Sequence, residues 1–483
     1  MIVVRESNGE LHKIDRLKET VRLAGGLDSE GFLSDEAYGR ALECLRRFGQ
    51  RVRHLPRGAV RAVGTNTLRR AQNSRDLLEA FERALGHPVE IISGREEARL
   101  IYLGVSHDLA ESGERRLVID IGGGSTEFII GEAGDAVEAE SLEMGCVTYS
   151  QRFFPDGRWS ASRFRDAVRH AALELQPIAE SYRARGWDRV LGSSGTLLAL
   201  DRAVHSMGLE NAPGTSAAAL TTLRTRMIEA GGADGCELSG IGEDRRPVIA
   251  GGLSIILAAF EVLGIERYFP AETALREGVV VDLLGRDTAA DTRPATIAQL
   301  QHRFAVATAH AERVAEAADR LFPAVAVGHG LRFADRQRLL WAAAVHEIGL
   351  VLSHDRYHKH GEYLLANADL PGFSQTEQQE IALLVRLHRR RVTPKLFDVW
   401  AEARRPGLIA LTVALRLAVL LQRSRSRQST PFAARSDEPR QLHLDFPRGW
   451  LDQHPLTAAE LDEEAVELQR LGWTLTYGSE SSA

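Results

Sequence analysis

The segment Leu117-Val-Ile-Asp-Ile-Gly-Gly-Gly-Ser-Thr-Glu-Phe-Ile-Ile130 joins two apolar runs through three glycines and sets Asp120 and Glu127 on either side of them. Glycines lack a Cβ, so successive backbone N–H groups can converge into a concavity that suits phosphate oxygens. Gly122, Gly123, Gly124, Ser125 and Thr126 are thus a candidate phosphate cradle. Asp120 and Glu127 at its rim are candidate ligands for a hard divalent cation such as Mg²⁺, which favours one or two carboxylates plus phosphate oxygens. The same pattern also suits an ordinary hairpin turn with solvated acids. It is neither GxGxxG opening a helix nor GxxxxGK[ST], which disfavours nicotinamide and Walker chemistry.

Two further small-residue loops end short strands. Gly192-Ser193-Ser194-Gly195-Thr196 runs into a helical pattern, placing free N–H groups where a helix dipole favours an anion. Gly64, Thr65, Asn66 and Arg69 form a third loop with hydroxyls and a guanidinium. In Ile91-Ile-Ser-Gly-Arg-Glu-Glu-Ala-Arg-Leu100 a strand meets a helix bearing Glu96 and Glu97. Adjacent helical residues point about 100° apart, so both acids cannot face one site; one is expected to be an exposed first-turn acid favoured by the dipole.

These loops need strands to hold them. From Ala59 to Gly285, β-branched runs alternate with helical patterns, the rhythm of an α/β fold. Strands are expected at 59–63, 89–92, 117–121, 128–130, 189–191 and 268–269, with helices at 34–52, 74–85 and 95–104. Arg286 to Arg293 reads as a linker. Beyond it, 296–321, 331–347, 374–389 and 406–422 carry helical periodicity, an all-α domain. Ser424 to Pro439 reads as a mobile connector. It precedes a small α+β tail with a strand at 441–446, a helix at 458–471 and a strand at 473–477.

The chain has 483 residues and a net charge of −6, so it is neither a cationic nucleic-acid coat nor an acidic tail protein, and any anion must be met locally. Only four of its 60 basic residues are lysines. Cys44, Cys146 and Cys236 form no CxxC pair, which argues against a disulfide framework or thiolate zinc. The longest apolar stretches, Val248 to Phe260 and Leu408 to Leu421, fall short of the ~18 to 20 residues a membrane span needs. A soluble protein of the cytoplasm is expected, binding neither DNA nor RNA, with peripheral attachment at the inner membrane face as a variant of that location.

In order and content these motifs closely resemble the exopolyphosphatase / guanosine pentaphosphate phosphohydrolase family, and most nearly bacterial exopolyphosphatase. The matching segments include Val63–Arg69, Ile91–Leu100, Val118–Glu127, Met144-Gly-Cys146, Gly192–Thr196, Ala274-Leu-Arg-Glu-Gly278, Leu370-Pro-Gly-Phe373 and Leu384–Arg390. The resemblance implies an α/β sugar kinase/actin/Hsp70-like two-lobe core (1–101 and 102–287). An all-α HD-like domain (288–430) and the α+β tail (431–483) would follow. It implies Glu97 as catalytic base, Asp120 and Glu127 as Mg²⁺ and phosphate-site acids, and a homodimer.

Three departures from the family pattern stand out. An expected first strand with an Asp-Leu-Gly-Ser-Asn-Ser loop is missing, so the first lobe reads as truncated at its N-terminus. Met1 to Arg5 would be left as an unpaired edge and the natural protein would carry more residues upstream. Thr273 stands where the family has glycine. His346-Glu347 replaces His-Asp, and without a further Asp among His354, His358, His360 and His388 this region reads as a relic scaffold with surface histidines. Arg386, His388, Arg389, Arg390, Arg391 and Lys395 form a basic cluster whose default reading is a solvated helix end. The resemblance suggests instead a channel wall for a long polyanion.

The leading expectation is an exopolyphosphatase, removing terminal orthophosphate from inorganic polyphosphate with Mg²⁺. The alternatives are hydrolysis of guanosine pentaphosphate, a non-catalytic polyphosphate- or nucleotide-binding regulator, and an ATP-forming phosphotransferase.

Overall fold

The computed structural model describes all residues except 8–9, 29, 108–112, 233–238, 287–290, 427 and 480–483, so Cys236, Arg427 and half of the expected linker lie outside the described residues. The chain divides into two compact units, Met1–Asp291 and Thr292–Ala483.

The first unit opens with a hairpin of β1 (Ile2–Ser7) and β2 (Glu10–Arg16), paired antiparallel from Ile2↔Arg16. The strand expected to lie unpaired therefore has a partner on one edge. Helix α1 (Asp35–Val52) starts where Ser34 accepts a hydrogen bond from the Ala37 N–H. Next come β3 (Ala62–Gly64), α2 (Asn66–Arg70), α3 (Ser74–Leu85) and β4 (Val89–Ile91), with β3 and β4 parallel. Leu68, Leu77, Phe81 and Ile91 form the small core beneath them. Helix α4 (Gly94–His107) follows at the end of β4.

A six-stranded sheet then forms from β5 (Arg116–Ile121), β6 (Thr126–Glu132), β7 (Asp135–Leu142), β8 (Arg189–Ser193), β9 (Thr215–Ser216) and β10 (Arg267–Pro270). Its order is β7-β6-β5-β8-β10-β9; β5 to β7 meander antiparallel, while β8 runs parallel to β5 and β10 parallel to β8. The helices of this lobe are α5 (Cys146–Phe153), α6 (Ala161–Arg185), α7 (Ser194–Ser206), α8 (Ala217–Ala230), α9 (Ile249–Leu263) and α10 (Leu275–Gly285). The mixed sheet covered by helices is the sugar kinase/actin/Hsp70-like arrangement. The stretch Arg246–Leu263, apolar enough to span a membrane by length and composition, is mostly buried inside this unit.

Strand alternation sorts side chains onto two faces. Leu117, Ile119 and Ile121 join the core under α6, α7 and α9, whereas Val118 and Ile129 pack with Ala98, Ile101 and Tyr102 of α4. Asp120 and Glu127 are two residues from Val118 and Ile129, so they face α4.

In the second unit the expected helix at 296–321 is two helices, α11 (Thr292–Arg303) and α12 (Thr308–Ala326). Ala305 takes a left-handed backbone (φ 50°) between them and Val306 turns into the core. Then come α13 (Phe333–Val345), α14 (Tyr357–Asn367), α15 (Gln375–Leu387) and α16 (Arg405–Leu421). The tail consists of β11 (Ala433–Arg435), β12 (Gln441–Phe446), α17 (Trp450–Gln453), α18 (Pro455–Gln469) and β13 (Thr474–Ser479), with the sheet order β11-β12-β13.

Two expectations change here. The connector at 424–439 contains a strand, anchored by buried Thr430 and Phe432, with Arg320 stacked 4.1 Å over the Phe432 ring. The tail is no separate domain either: Phe446, Leu461, Leu468 and Trp473 belong to the same core as Leu411 and Leu415 of α16.

Candidate active site

The acids of the first unit meet where β4 and β5 end and β6 begins. Asp120 and Glu127 are directly opposed in the β5–β6 ladder. Like charges placed opposite each other on a sheet face are destabilising, and both are buried. Burial, then Glu97 nearby, pushes the Asp120 carboxyl up to about 6, against hydrogen bonding from Ser193. Burial and the charges of Glu97 and Asp120 push Glu127 well up, although Ser141 donates to it at 2.8 Å. Two adjacent buried oxygen donors whose charged forms are disfavoured by burial and by each other fit a divalent cation such as Mg²⁺, whose charge would offset both.

Glu97 comes to this place on α4. It lies one turn before Ile101, which packs on the Val118–Ile129 face of the sheet. Burial raises its carboxyl, and Arg69 opposes that by donating at 2.9 Å. Glu96 turns a different way: its carboxylate accepts two hydrogen bonds from Arg99, both 2.8 Å, and Arg99 also pairs with Asp282 of α10. The expected exposed first-turn acid is absent, because α4 is covered on two faces and each glutamate points into one of them. The crossing of α4 and α10 is close: a Cβ on Gly278 would fall inside the van der Waals shell of the Leu100 carbonyl oxygen. This accounts for Gly278 in the Ala274–Gly278 motif.

The three loops do converge. A Cβ on Gly124 would lie 2.5 Å from Asn66 Oδ1, so the triple glycine abuts the loop after β3. The Gly122 N–H closes the hairpin onto the Ser125 carbonyl at 2.9 Å, and the Gly122 and Gly123 carbonyls receive the N–H groups of Cys146 and Val147 at 2.9 and 3.0 Å. The start of α5 thus braces the cradle.

Of the expected phosphate ligands, Thr65, Arg69, Gly122, Gly123, Ser194 and Gly195 remain accessible, while Gly64, Asn66, Gly124, Ser125, Thr126, Gly192, Ser193 and Thr196 are buried. Three of the buried hydroxyls serve the scaffold: Thr126 donates to the Met144 carbonyl at 2.5 Å, Ser193 to Thr273 at 3.1 Å and Thr196 to Ile121 at 3.2 Å. Ser194 holds a left-handed backbone (φ 79°), and its hydroxyl accepts from the Thr196 and Leu197 N–H groups at 3.3 and 3.4 Å.

Arg245 was not singled out from sequence. Its guanidinium sits against Gly195 and its charge lowers Asp120. The only signal was an arginine pair in a polar loop before the apolar α9.

The basic cluster of the second unit divides. Arg389, Arg390 and Arg391 line a cavity of about 730 Å³, with His388 at its wall. Arg386 is not among its lining residues and lies 3.5 Å from Glu362. Glu460, Glu463, Glu464 and Glu467 line the same cavity, so its wall is of mixed charge. The histidines divide: His346, His358 and His388 are buried, His360 is half-buried and His354 is exposed, so only His354 is the surface histidine expected.

A mixed sheet of this order carrying buried carboxylates beneath glycine loops defines a phosphate-handling member of the actin-like fold class. The chain belongs to the Ppx/GppA phosphatase family, whose sequence pattern matches residues 2–287; the pattern of that family's domain III matches residues 292–465. It is 40% identical over 477 residues to the guanosine-5'-triphosphate,3'-diphosphate pyrophosphatase of Aeromonas hydrophila, covering 98% of this chain and 95% of that one. It is 38% identical to the protein of the same name from Vibrio vulnificus, covering 99% and 96%. Among solved structures, an exopolyphosphatase from Cytophaga hutchinsonii superposes with a TM-score of 0.52 at 24% identity, over 59% of this chain and 93% of that one.

Proposed function

We propose that this phosphatase hydrolyses the terminal phosphoanhydride of the 5′-triphosphate of guanosine pentaphosphate, yielding guanosine tetraphosphate and orthophosphate, in the cytoplasm. The observation that carries the chemistry is the placement of Glu97, fixed by Arg69, above the opposed pair Asp120 and Glu127. The names of the relatives at 38–40% identity over nearly the whole chain favour this substrate over long-chain polyphosphate.

In this reading Glu97 takes a proton from water as the water oxygen bonds to the terminal phosphorus. The bridging P–O bond breaks and the electron pair stays on the departing nucleotide phosphate. Burial tunes Glu97 upward, toward the range where a general base works best near neutral pH. The N–H groups of Gly123 and Gly195 and the guanidinium of Arg69 hold phosphate oxygens. Asp120 and Glu127 would hold Mg²⁺, which when bound neutralises charge on the transferring phosphoryl group.

Orthophosphate release from guanosine pentaphosphate and from long-chain polyphosphate, each with Mg²⁺ and with a chelator, tests the proposal. Faster Mg²⁺-dependent release from the nucleotide is expected. Preference for polyphosphate would return the substrate to the reading first suggested by sequence. No release from either would leave a binding protein.

A further inference from the structure

We propose that His310, His346 and Glu347 form a binding site for one first-row divalent transition-metal cation within the helical unit. Sequence motifs found His346 and Glu347 but no third ligand; the fold supplies it from α12. One donor atom from each of the three residues lies within 4.8 Å of the others, and all three residues are buried. Ligands about 2.0–2.2 Å from a shared cation sit at most ~4.4 Å apart, so small side-chain rotations close the set.

The rings are prepared as ligands. His346 Nδ1 lies 2.7 Å from the Ala343 carbonyl, which can only accept, so the proton sits on Nδ1 and Nε2 of the neutral ring carries a lone pair. That Nε2 is buried and has no hydrogen-bond partner, and neither has His310 Nδ1. A core histidine kept only for packing would leave such an atom unsatisfied, with its desolvation uncompensated. A ring N–H held by a backbone carbonyl is the support that orients metal-bound histidines. His388 repeats the arrangement behind it, with Nδ1 2.6 Å from the Val385 carbonyl and its ring 5.4 Å from that of His346.

The donor chemistry selects the metal. Two imidazoles and one carboxylate suit Zn²⁺, Mn²⁺ or Fe²⁺ better than the all-oxygen preference of Mg²⁺ or Ca²⁺. Glu347 is presently paired with Arg425, a half-exposed side chain whose guanidinium stands in for cationic charge and would compete with a metal. His310 and Glu347 both line the 730 Å³ cavity, so open coordination positions would face a space able to hold water or an anionic ligand.

The test is zinc titration of the full chain, stripped with chelator and held in excess Mg²⁺ to occupy oxygen-only sites, followed by competition with a chromophoric chelator and by thermal unfolding. One zinc per chain is expected, with a raised melting temperature. His346→Asn and Glu347→Gln should each weaken binding more than tenfold. Arg425→Met should strengthen it several-fold, because the competing guanidinium is gone. Circular dichroism in chelator establishes that each variant is folded; should His346→Asn fail to fold, the opposite signs of Glu347→Gln and Arg425→Met still decide. Absence of stoichiometric zinc, unchanged affinity in Glu347→Gln, or weaker binding in Arg425→Met would overturn the proposal.

Discussion

One nitrogen of Arg69, Nη1, donates both to the Glu97 carboxylate at 2.9 Å and to the Ile92 carbonyl at 2.8 Å. The guanidinium is therefore fixed to the chain just beyond β4, and through it Glu97 is fixed to the sheet end. Replacing Arg69 with Gln removes the charge that holds the Glu97 carboxyl down. The acidic limb of the kcat/KM profile should move to higher pH. A slower variant whose limb stays in place would show that Arg69 acts on substrate alone.

Glu97→Gln should lower kcat on the order of 10² to 10⁴-fold with little change in melting temperature, the range removal of a general base costs. Glu96→Gln should do the reverse. It loosens the Arg99–Asp282 network and should cost about 1–3 kcal/mol of stability while leaving kcat within a few-fold. Paired kinetics and thermal melts on the two variants separate these roles.

Much of this site was legible in sequence because glycine and carboxylate constrain chemistry strongly. Asp120, Glu127 and the triple glycine occupy a strand–loop–strand whose periodicity dictates that both acids share a face. The two orientations of Glu96 and Glu97 followed from helical geometry, but not the burial of Glu96, which depends on α10 crossing α4 far along the chain. Arg245 and His310 carry no local pattern; only tertiary packing brings them to their clusters. Strand β7 went unread because its acidic residues on a partly exposed edge mask the alternation.

Stability of the metal-free protein should fall as pH rises from about 4 to about 6. The folded-state pKa of Asp120 is raised from 3.8 to about 6, so the folded protein binds the proton more tightly and loses that advantage as the pH climbs through this window. The contribution of Asp120 is on the order of 3 kcal/mol. Denaturant unfolding in chelator at pH 4.5 and 6.5 should show this slope, and Asp120→Asn should flatten it. A wild-type and variant with equal slopes would place the loss elsewhere.

Gly278→Ala should destabilise the first unit by about 1–3 kcal/mol or more, because the new methyl meets the Leu100 backbone. Since Leu100 and Glu97 share α4, kcat should also drop, though Gly278 touches no acid of the site. Unchanged kcat in a folded variant would mean that α4 yields without moving its first turn.

Removing the charges of Arg389, Arg390 and Arg391 together should weaken any binding of long polyphosphate and reduce its salt dependence, as fewer counterions are released. Hydrolysis of guanosine pentaphosphate should change less. Equal losses on both, with a lowered melting temperature, would indicate damage to folding.

The shared core of the tail and the helices has a consequence during synthesis. Trp473 and Leu475 complete the interior that Leu411 and Leu415 begin, and β13 pairs parallel with β12 along its whole length. At about 5–20 residues per second, the first helix of this unit, beginning at Thr292, leaves the ribosome on the order of ten seconds or more before β13 does. The first unit can close while translation continues. The second stays open, with apolar helix faces exposed to chaperones, until its final strand emerges.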